Sequence, residues 1–339
     1  LFHAVDNLTS PKPQLPLPRH QGPGQICFDF QIEFDYRLHH EAFMQENAIE
    51  IRGLRHSYDG RVIHQGLDLD VGRGRVVGLL GKNGVGKTTL INILMGFLRP
   101  SDGRCLVFGE PSHRLTPQTK SRVGLLFEGH LAYDFMTINE IERFYARFYP
   151  RWNPGRFRDL MGRLGLPGRH RIRHMSEGQR SQVVLGLLFA QEPDLLILDD
   201  YAMGLDAGYR RLFVDYLSDF AREQGRTVFL TSHVIEDMER LVDEVVLLRA
   251  GGEARRMELA DFRDNFRCFT LPAHGRPAPA VGGVIHNVER AAGGRFELFS
   301  FAEAGAVAAA LAASGFSPEG LCPQAMSLED AFVGYTGRY

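Results

Sequence analysis

The chain is short of the features that mark several large classes of protein. Its four cysteines (Cys27, Cys105, Cys268 and Cys322) are scattered along 339 residues. There is no C-x-x-C pair and no neighbouring histidine at ligand spacing. Reduced thiols fit this pattern; a disulfide frame or a zinc site does not. An excess of one charge is also missing, because 39 Lys and Arg face 41 Asp and Glu. That balance leaves no basic footprint for DNA or RNA, and no nucleic-acid partner is expected. Long apolar runs are missing too. The longest uncharged one near the middle, Val183 to Ala190, is far short of the roughly 20 residues a bilayer span needs. There is no heptad run, and no basic start followed by an apolar core, which argues against a signal peptide.

What is present describes an ordinary globular protein. The hydrophobic share is 44% and the charged share 24%, both near average. The length allows one large domain, a smaller one, and a sizeable core. Residues 1–46 differ from the rest: Pro11, Pro13, Pro16, Pro18 and Pro23 crowd together with little helical or strand period. The first methionine is Met44, just before the strand-like Ala48-Ile49-Glu50-Ile51. Residues 1–43 are therefore expected to be upstream read-through or a disordered tail.

The most informative stretch is Gly81-Lys82-Asn83-Gly84-Val85-Gly86-Lys87-Thr88-Thr89. It fits G-x-x-x-x-G-K-[ST], the phosphate-binding P-loop. The apolar run Arg75 to Leu80 before it reads as a buried strand, and Thr88 to Met95 reads as a helix. Glycines there let backbone N–H groups converge on phosphate oxygens, and the helix dipole adds positive potential. Lys87 would reach the β- and γ-phosphates, and the Thr88 hydroxyl would ligate Mg²⁺.

Other stretches place further chemistry. Ile49 to Ile51 and Val62 to Val71 alternate as antiparallel strands do, with Asp59-Gly60 as a turn signal between them. Tyr58 beside that turn could stack on a base or be a plain surface residue. Arg104 to Phe108 reads as a strand, and Arg122 to Glu128 as a strand ending on a carboxylate. Thr137-x-x-Glu140 is a capping box for a helix Ile138 to Phe148, and Arg156 to Leu164 is a second amphipathic helix. Ser176-x-x-Gln179 is another capping box, before an apolar helix Ser181 to Ala190. Such a helix start is either a phosphate contact or simply a helix start. Leu195 to Leu198 is an apolar strand ending in Asp199 and Asp200, where ligands bind in open α/β sheets. With a P-loop present it reads as a Walker B element: Asp199 would hold Mg²⁺ and Asp200 would face the attacking water. Thr227 to Ser232 is a further buried strand, ending on His233.

In this order and spacing the motifs of residues 48–255 resemble the ATP-binding-cassette (ABC) ATPases, most specifically through the S-x-G-Q segment. The resemblance implies an α/β fold: a P-loop NTPase core with an antiparallel β subdomain and an inserted helical subdomain. It assigns Tyr58 to adenine stacking. Glu128 would stand at a position usually held by glutamine, as a catalytic and metal-side residue. Met175 and Ser176-Glu177-Gly178-Gln179 would form the signature, and Gly204-Leu205-Asp206 the D-loop. His233 would touch the γ-phosphate. ATP and Mg²⁺ are the implied cofactors. Two copies would bind ATP head to tail, each nucleotide lying between one P-loop and the other copy's Ser176–Gln179. The second partner would be a separately encoded membrane permease, touching Gly129 to Met136 with Tyr133 as anchor, on the cytoplasmic face of the cell membrane.

Three positions depart from the family pattern: Asp200 for the usual Glu, Glu128 for Gln, and Glu177 for Gly. Hydrolysis is expected to persist but to be slow. A non-transport ABC ATPase and an ATP-binding switch with very slow turnover are the alternatives. Three segments are expected: residues 1–46, an ABC ATPase domain over 47–265, and a small α+β accessory domain over 266–339. Phe266 to Leu271 and Arg295 to Ser300 read as its strands, Ala302 to Ala313 as a helix packed on them, and Ser327 as the start of a last helix. The ending Ser-Leu-Glu-Asp-x-Phe is similar to the ends of drug- and lipid-exporter-type cassettes, and dimer contact is the favoured role for it.

Overall fold

The computed structural model describes residues 47–127, 133–201, 205–232, 234–249 and 251–337. The proline-rich stretch and the start at Met44 lie outside these residues. Gln45–Tyr339 form one compact unit.

It opens with a hairpin, β1 (Asn47–Tyr58) and β2 (Arg61–Gly72), joined across Asp59-Gly60. β3 (Val76–Gly81) leads into α1 (Lys87–Leu94). β4 (Asp102–Val107) and β5 (Glu110–Pro111) return to the hairpin, and α2 (Pro117–Ser121) and β6 (Val123–Leu126) follow. Three helices come next: α3 (Ile138–Tyr145), α4 (Pro154–Leu164) and α5 (Glu177–Ala190). The chain then alternates through β7 (Leu195–Leu198), α6 (Ala207–Glu223), β8 (Thr227–Thr231), α7 (Ile235–Leu241), β9 (Glu244–Leu248) and β10 (Ala254–Glu258). It ends with α8 (Leu259–Asn265), β11 (Arg267–Pro272), β12 (Asn287–Ala291), β13 (Arg295–Ser300), α9 (Ala304–Ala313), β14 (Cys322–Gln324) and α10 (Leu328–Thr336).

These strands form three sheets, ordered β2-β1-β4-β5, β10-β9-β3-β8-β7-β6 and β12-β13-β11-β14. The first and third are antiparallel. The six-stranded sheet is parallel except where β10 turns back on β9. Its inner strands β3, β7 and β8 are continuous apolar runs because both faces are covered. Leu195 and Ile197 of β7 pack toward α1 and the antiparallel sheet, while Leu196 and Leu198 join the cluster of α5 and α6. Parallel neighbours end on the same side, so the carboxyl ends of β3, β7 and β8 converge. That single topological fact assembles the site.

The expected α/β architecture is present, and both expected capping boxes form, Thr137 with Glu140 and Ser176 with Gln179; Ser327 and Asp330 make a third. The third sheet carries α9 on one face, where Val307 and Leu311 meet Phe269, Leu271, Phe296 and Leu298. On its other face, Cys268 and Phe299 join the main core together with Leu328, Ala331 and Tyr335 of α10. The C-terminal segment thus shares one hydrophobic cluster with the P-loop domain.

Glu244 at the start of β9 is a point of acid sensitivity. Its buried carboxylate accepts hydrogen bonds from Arg75 Nε at 2.6 Å and from Arg256 Nε. Burial acts to raise its pKa, but the bonds from Arg256 and Arg75 win and hold it below the usual range. A depressed folded pKa gives stability that is complete above the unfolded value of about 4.3 and is lost as pH falls through the folded one. Glu244→Gln is expected to cost about 2 kcal/mol near pH 7, less than for a fully buried pair because both arginines are partly exposed. Thermal melts should show the gap to the parent chain narrowing as pH drops from about 5 toward 3. A gap independent of pH would contradict this account.

Candidate nucleotide site

The strand-loop-helix around Gly81 is built as the motif demands. β3 ends on Gly81, and Gly86 stands at the amino end of α1 with φ 109°. No L side chain adopts that angle without strain. A Cβ there would also lie 2.6 Å from Ile63 and 2.8 Å from the His64 ring. His64 is buried beneath the loop, and its Nε2 lies 3.2 Å from the Gly86 carbonyl. Burial pushes the His64 pKa down, and the Gly86 bond opposes this only partly. The ring is therefore held neutral, with Nε2–H donating to the loop. Lys87 Nζ donates to the carbonyls of Gly81 at 2.6 Å and Lys82 at 3.1 Å. Burial lowers the pKa of this amine, while Asp200 and Asp199 act to raise it.

Asp199 follows β7 and is 2% exposed. Its Oδ1 accepts a 2.8 Å hydrogen bond from the Thr231 hydroxyl. Its Oδ2 is buried and has no hydrogen-bond partner among the described residues. The Thr231 oxygen in turn accepts from the Asp200 backbone N–H at 2.8 Å. Asp200 has φ 46°, a left-handed value that Asp tolerates better than most side chains. One hydroxyl from β8 thus fixes both acids at the end of β7.

A cavity of about 600 Å³ opens over these groups. Gly81, Lys82, Asn83, Gly84, Gly86, Lys87, Thr88, Thr89, Asp199 and Asp200 line it, so most of the expected P-loop residues and both acids meet there. Val85 does not line it; that side chain packs into the core against the antiparallel sheet. Tyr58 stands at the hairpin turn, 43% exposed and edge-on to His56, away from the cavity wall. Ile63 lines the wall instead. Glu128, Gly204 and His233 lie outside the described residues.

The S-x-G-Q segment stands apart from this cavity within one chain. Ser176 is exposed; its Oγ accepts from Gln179 N at 3.3 Å, and Gln179 Oε1 accepts from Ser176 N at 3.0 Å. Glu177 is exposed, directed away from the core. Gly178 is buried under the Tyr209 ring, where a Cβ would lie 2.2 Å from ring carbon. Asp206 caps α6, accepting from Tyr209 N at 2.9 Å. Tyr209 therefore couples the segment after Leu205 to the S-x-G-Q helix.

Comparison with known proteins gives this geometry its place. The family model for the ABC transporter domain matches residues 64–202. Over 299 residues the chain is 30% identical to the Nod factor export ATP-binding protein I of Cupriavidus pinatubonensis, covering 86% of this chain and 91% of that one. The chain belongs to the ATP-binding proteins of ABC transporters. A second relative, the ABC transporter ATP-binding protein NatA of Bacillus subtilis, is 31% identical over 191 residues, or 55% of this chain and 77% of its own. Two solved cassettes share the fold. One ATP-binding subunit of an ABC transporter superposes with a TM-score of 0.57 at 24% identity, covering 64% of this chain and 92% of that one. A dimeric cassette in a post-hydrolysis state, bound to ADP and Pi, gives 0.53 at 19% identity, covering 62% and 98%.

In this ABC protein, the sequence reading missed several wall residues. Thr231 ends β8 and Ser232 follows it, and a polar close to an apolar strand was their only signal. Ile235 of α7 and Glu329, Phe332 and Val333 of α10 also line the cavity. Nothing local in the sequence announces that the last helix reaches the P-loop. Among the described residues no helix is long and apolar enough to cross a membrane.

Proposed function

We propose that this protein is the ATP-hydrolysing subunit of an ABC transporter, working as a head-to-tail homodimer on a separately encoded membrane permease at the cytoplasmic face of the membrane. The observation that carries the reading is the convergence of Lys87, Thr88 and Asp199 on one cavity, with the buried Asp199 Oδ2 lacking a hydrogen-bond partner among the described residues. A buried anionic oxygen without a donor suits a cation. Thr88 and Asp199 fit Mg²⁺, with Glu128 as a further ligand, and the metal when bound would neutralise phosphate charge. The loop N–H groups and Lys87 would hold the β- and γ-phosphates of ATP. Asp200 would orient and deprotonate the attacking water, and His233 would touch the γ-phosphate. Tyr58 would reach the adenine only from the neighbouring hairpin turn.

Ser176–Gln179 lie away from the cavity in their own chain, which supports a second copy supplying them. Asp206 and Tyr209 would tie that contact to the acids. An exposed aromatic cluster supports the permease contact: Tyr133 meets Phe135 at 5.9 Å and Phe144 at 5.3 Å, and Phe144 meets Phe148 at 5.1 Å. Phe135 and Phe148 are more than 60% exposed, and such patches mark interaction sites. In light scattering, Asp200→Asn with ATP is expected to run at twice its nucleotide-free mass. Adding Ser176→Arg should keep ATP binding but return the mass to one chain. A dimer that ignores Ser176→Arg would sink the head-to-tail arrangement.

A further inference from the structure

α10 reaches the phosphate cavity from the far end of the chain. It packs against α7, the helix that follows β8. Its carboxyl end is firmly seated. The Tyr335 ring stacks on His286 at 4.3 Å, His286 Nε2–H bonds the Tyr335 carbonyl at 3.1 Å, and Asn287 Nδ2 donates to the Gly334 carbonyl at 2.9 Å. Gly334 lies flat on the Phe299 ring, where a Cβ would come within 2.2 Å. Past the helix, a Cβ on Gly337 would lie 4.0 Å from Lys82 Nζ of the P-loop. Seated in this way, the helix brings Glu329, Phe332 and Val333 to the wall of the same cavity that the P-loop lines. Glu329 is exposed, while the neighbouring Asp330 is engaged in capping Ser327.

A carboxylate on the wall of a polyphosphate site opposes the ligand's charge. The wall already carries Asp199 and Asp200, whose charge a metal can offset; Glu329 comes from a different domain segment and has no such duty.

We propose that Glu329 acts in cis as a charge gate on this cavity: its carboxylate on the wall lowers the affinity for polyphosphate. The inference rests on reading the cavity as a nucleotide site. It gives the C-terminal segment a part in setting nucleotide affinity, distinct from the dimer contact expected from its sequence.

Titration of the purified full chain with ATP at low salt tests this through a charge series. Removing one unit charge at a partly solvated wall within about 10 Å of the phosphates changes affinity about fivefold. Glu329→Gln is expected to bind ATP about fivefold more tightly, and Glu329→Lys more tightly again. The gain should shrink as salt rises and be smaller for AMP, which carries less charge. Unchanged melting temperatures would show that the helix stays in place. ATP affinity that is equal or weaker in Glu329→Gln overturns the gate while leaving the nucleotide site standing. No ATP binding by the parent or either variant overturns the nucleotide reading and the gate together.

Discussion

Asp199→Asn is expected to lower steady-state phosphate release at least about a hundredfold, a loss of ~2.7 kcal/mol in transition-state stabilisation, with little change in melting temperature. The two side chains have the same shape, and the amide oxygen can still accept the Thr231 hydroxyl bond made by Oδ1. The substitution alters the other position. Oδ2 is buried without a partner among the described residues, and in the variant an uncharged NH₂ donor takes its place. A donor at that position would repel a cation and could not ligate it. ATP affinity should change far less, because the loop N–H groups and Lys87 act on the phosphates without Asp199. The measurement is phosphate release against ATP concentration in Mg²⁺, with melting temperature beside it. A kcat within a factor of a few of the parent would remove Asp199 from the metal site. A large fall in melting temperature would instead assign the buried carboxylate a structural role.

Much of this site was legible because its parts are local. The P-loop is one continuous segment whose flanks carry their own strand and helix signals. The Thr137 and Ser176 capping boxes span four residues each and form as read. Asp199 and Asp200 announce themselves by ending an apolar strand. Other parts depend on which strands become neighbours. The hydroxyl of Thr231 reaches Asp199 across 32 positions, and only the β7–β8 pairing brings them together. β9 and β10 were not foreseen, although Val245 to Leu248 is as apolar as β7. Tyr58 shows the limit of reading an aromatic at a turn. The strands of the hairpin run up to Tyr58 and Arg61, which leaves that ring in solvent and brings Ile63 and His64 to the loop. α10 is the furthest case. Its start was readable from Ser327, but its place on the phosphate cavity depends on seating residues in β12 and β13.

Asp200→Glu should raise the rate of phosphate release, by up to about a hundredfold, the cost usually attached to a misplacement of about 1 Å. The structure sharpens the reason. The Asp200 backbone N–H is tied to Thr231 at 2.8 Å, and φ is fixed at 46°. A backbone pinned in this way cannot advance to compensate for a short side chain. Only an added methylene moves the carboxylate further into the cavity. The same backbone angle sets a cost, because Glu accepts left-handed geometry less readily than Asp, at about 1 kcal/mol. That cost falls on stability and leaves the chemical step untouched. The variant should therefore melt a few degrees lower while turning over faster, a combination that generic damage does not produce. Thr231→Val in the same background should cancel the gain, since it frees the backbone and removes the Asp199 bond at once. If Asp200→Glu leaves the rate unchanged or lowers it, the short side chain is not what limits hydrolysis. The base would then have to be sought elsewhere, with Glu128 the next residue to replace.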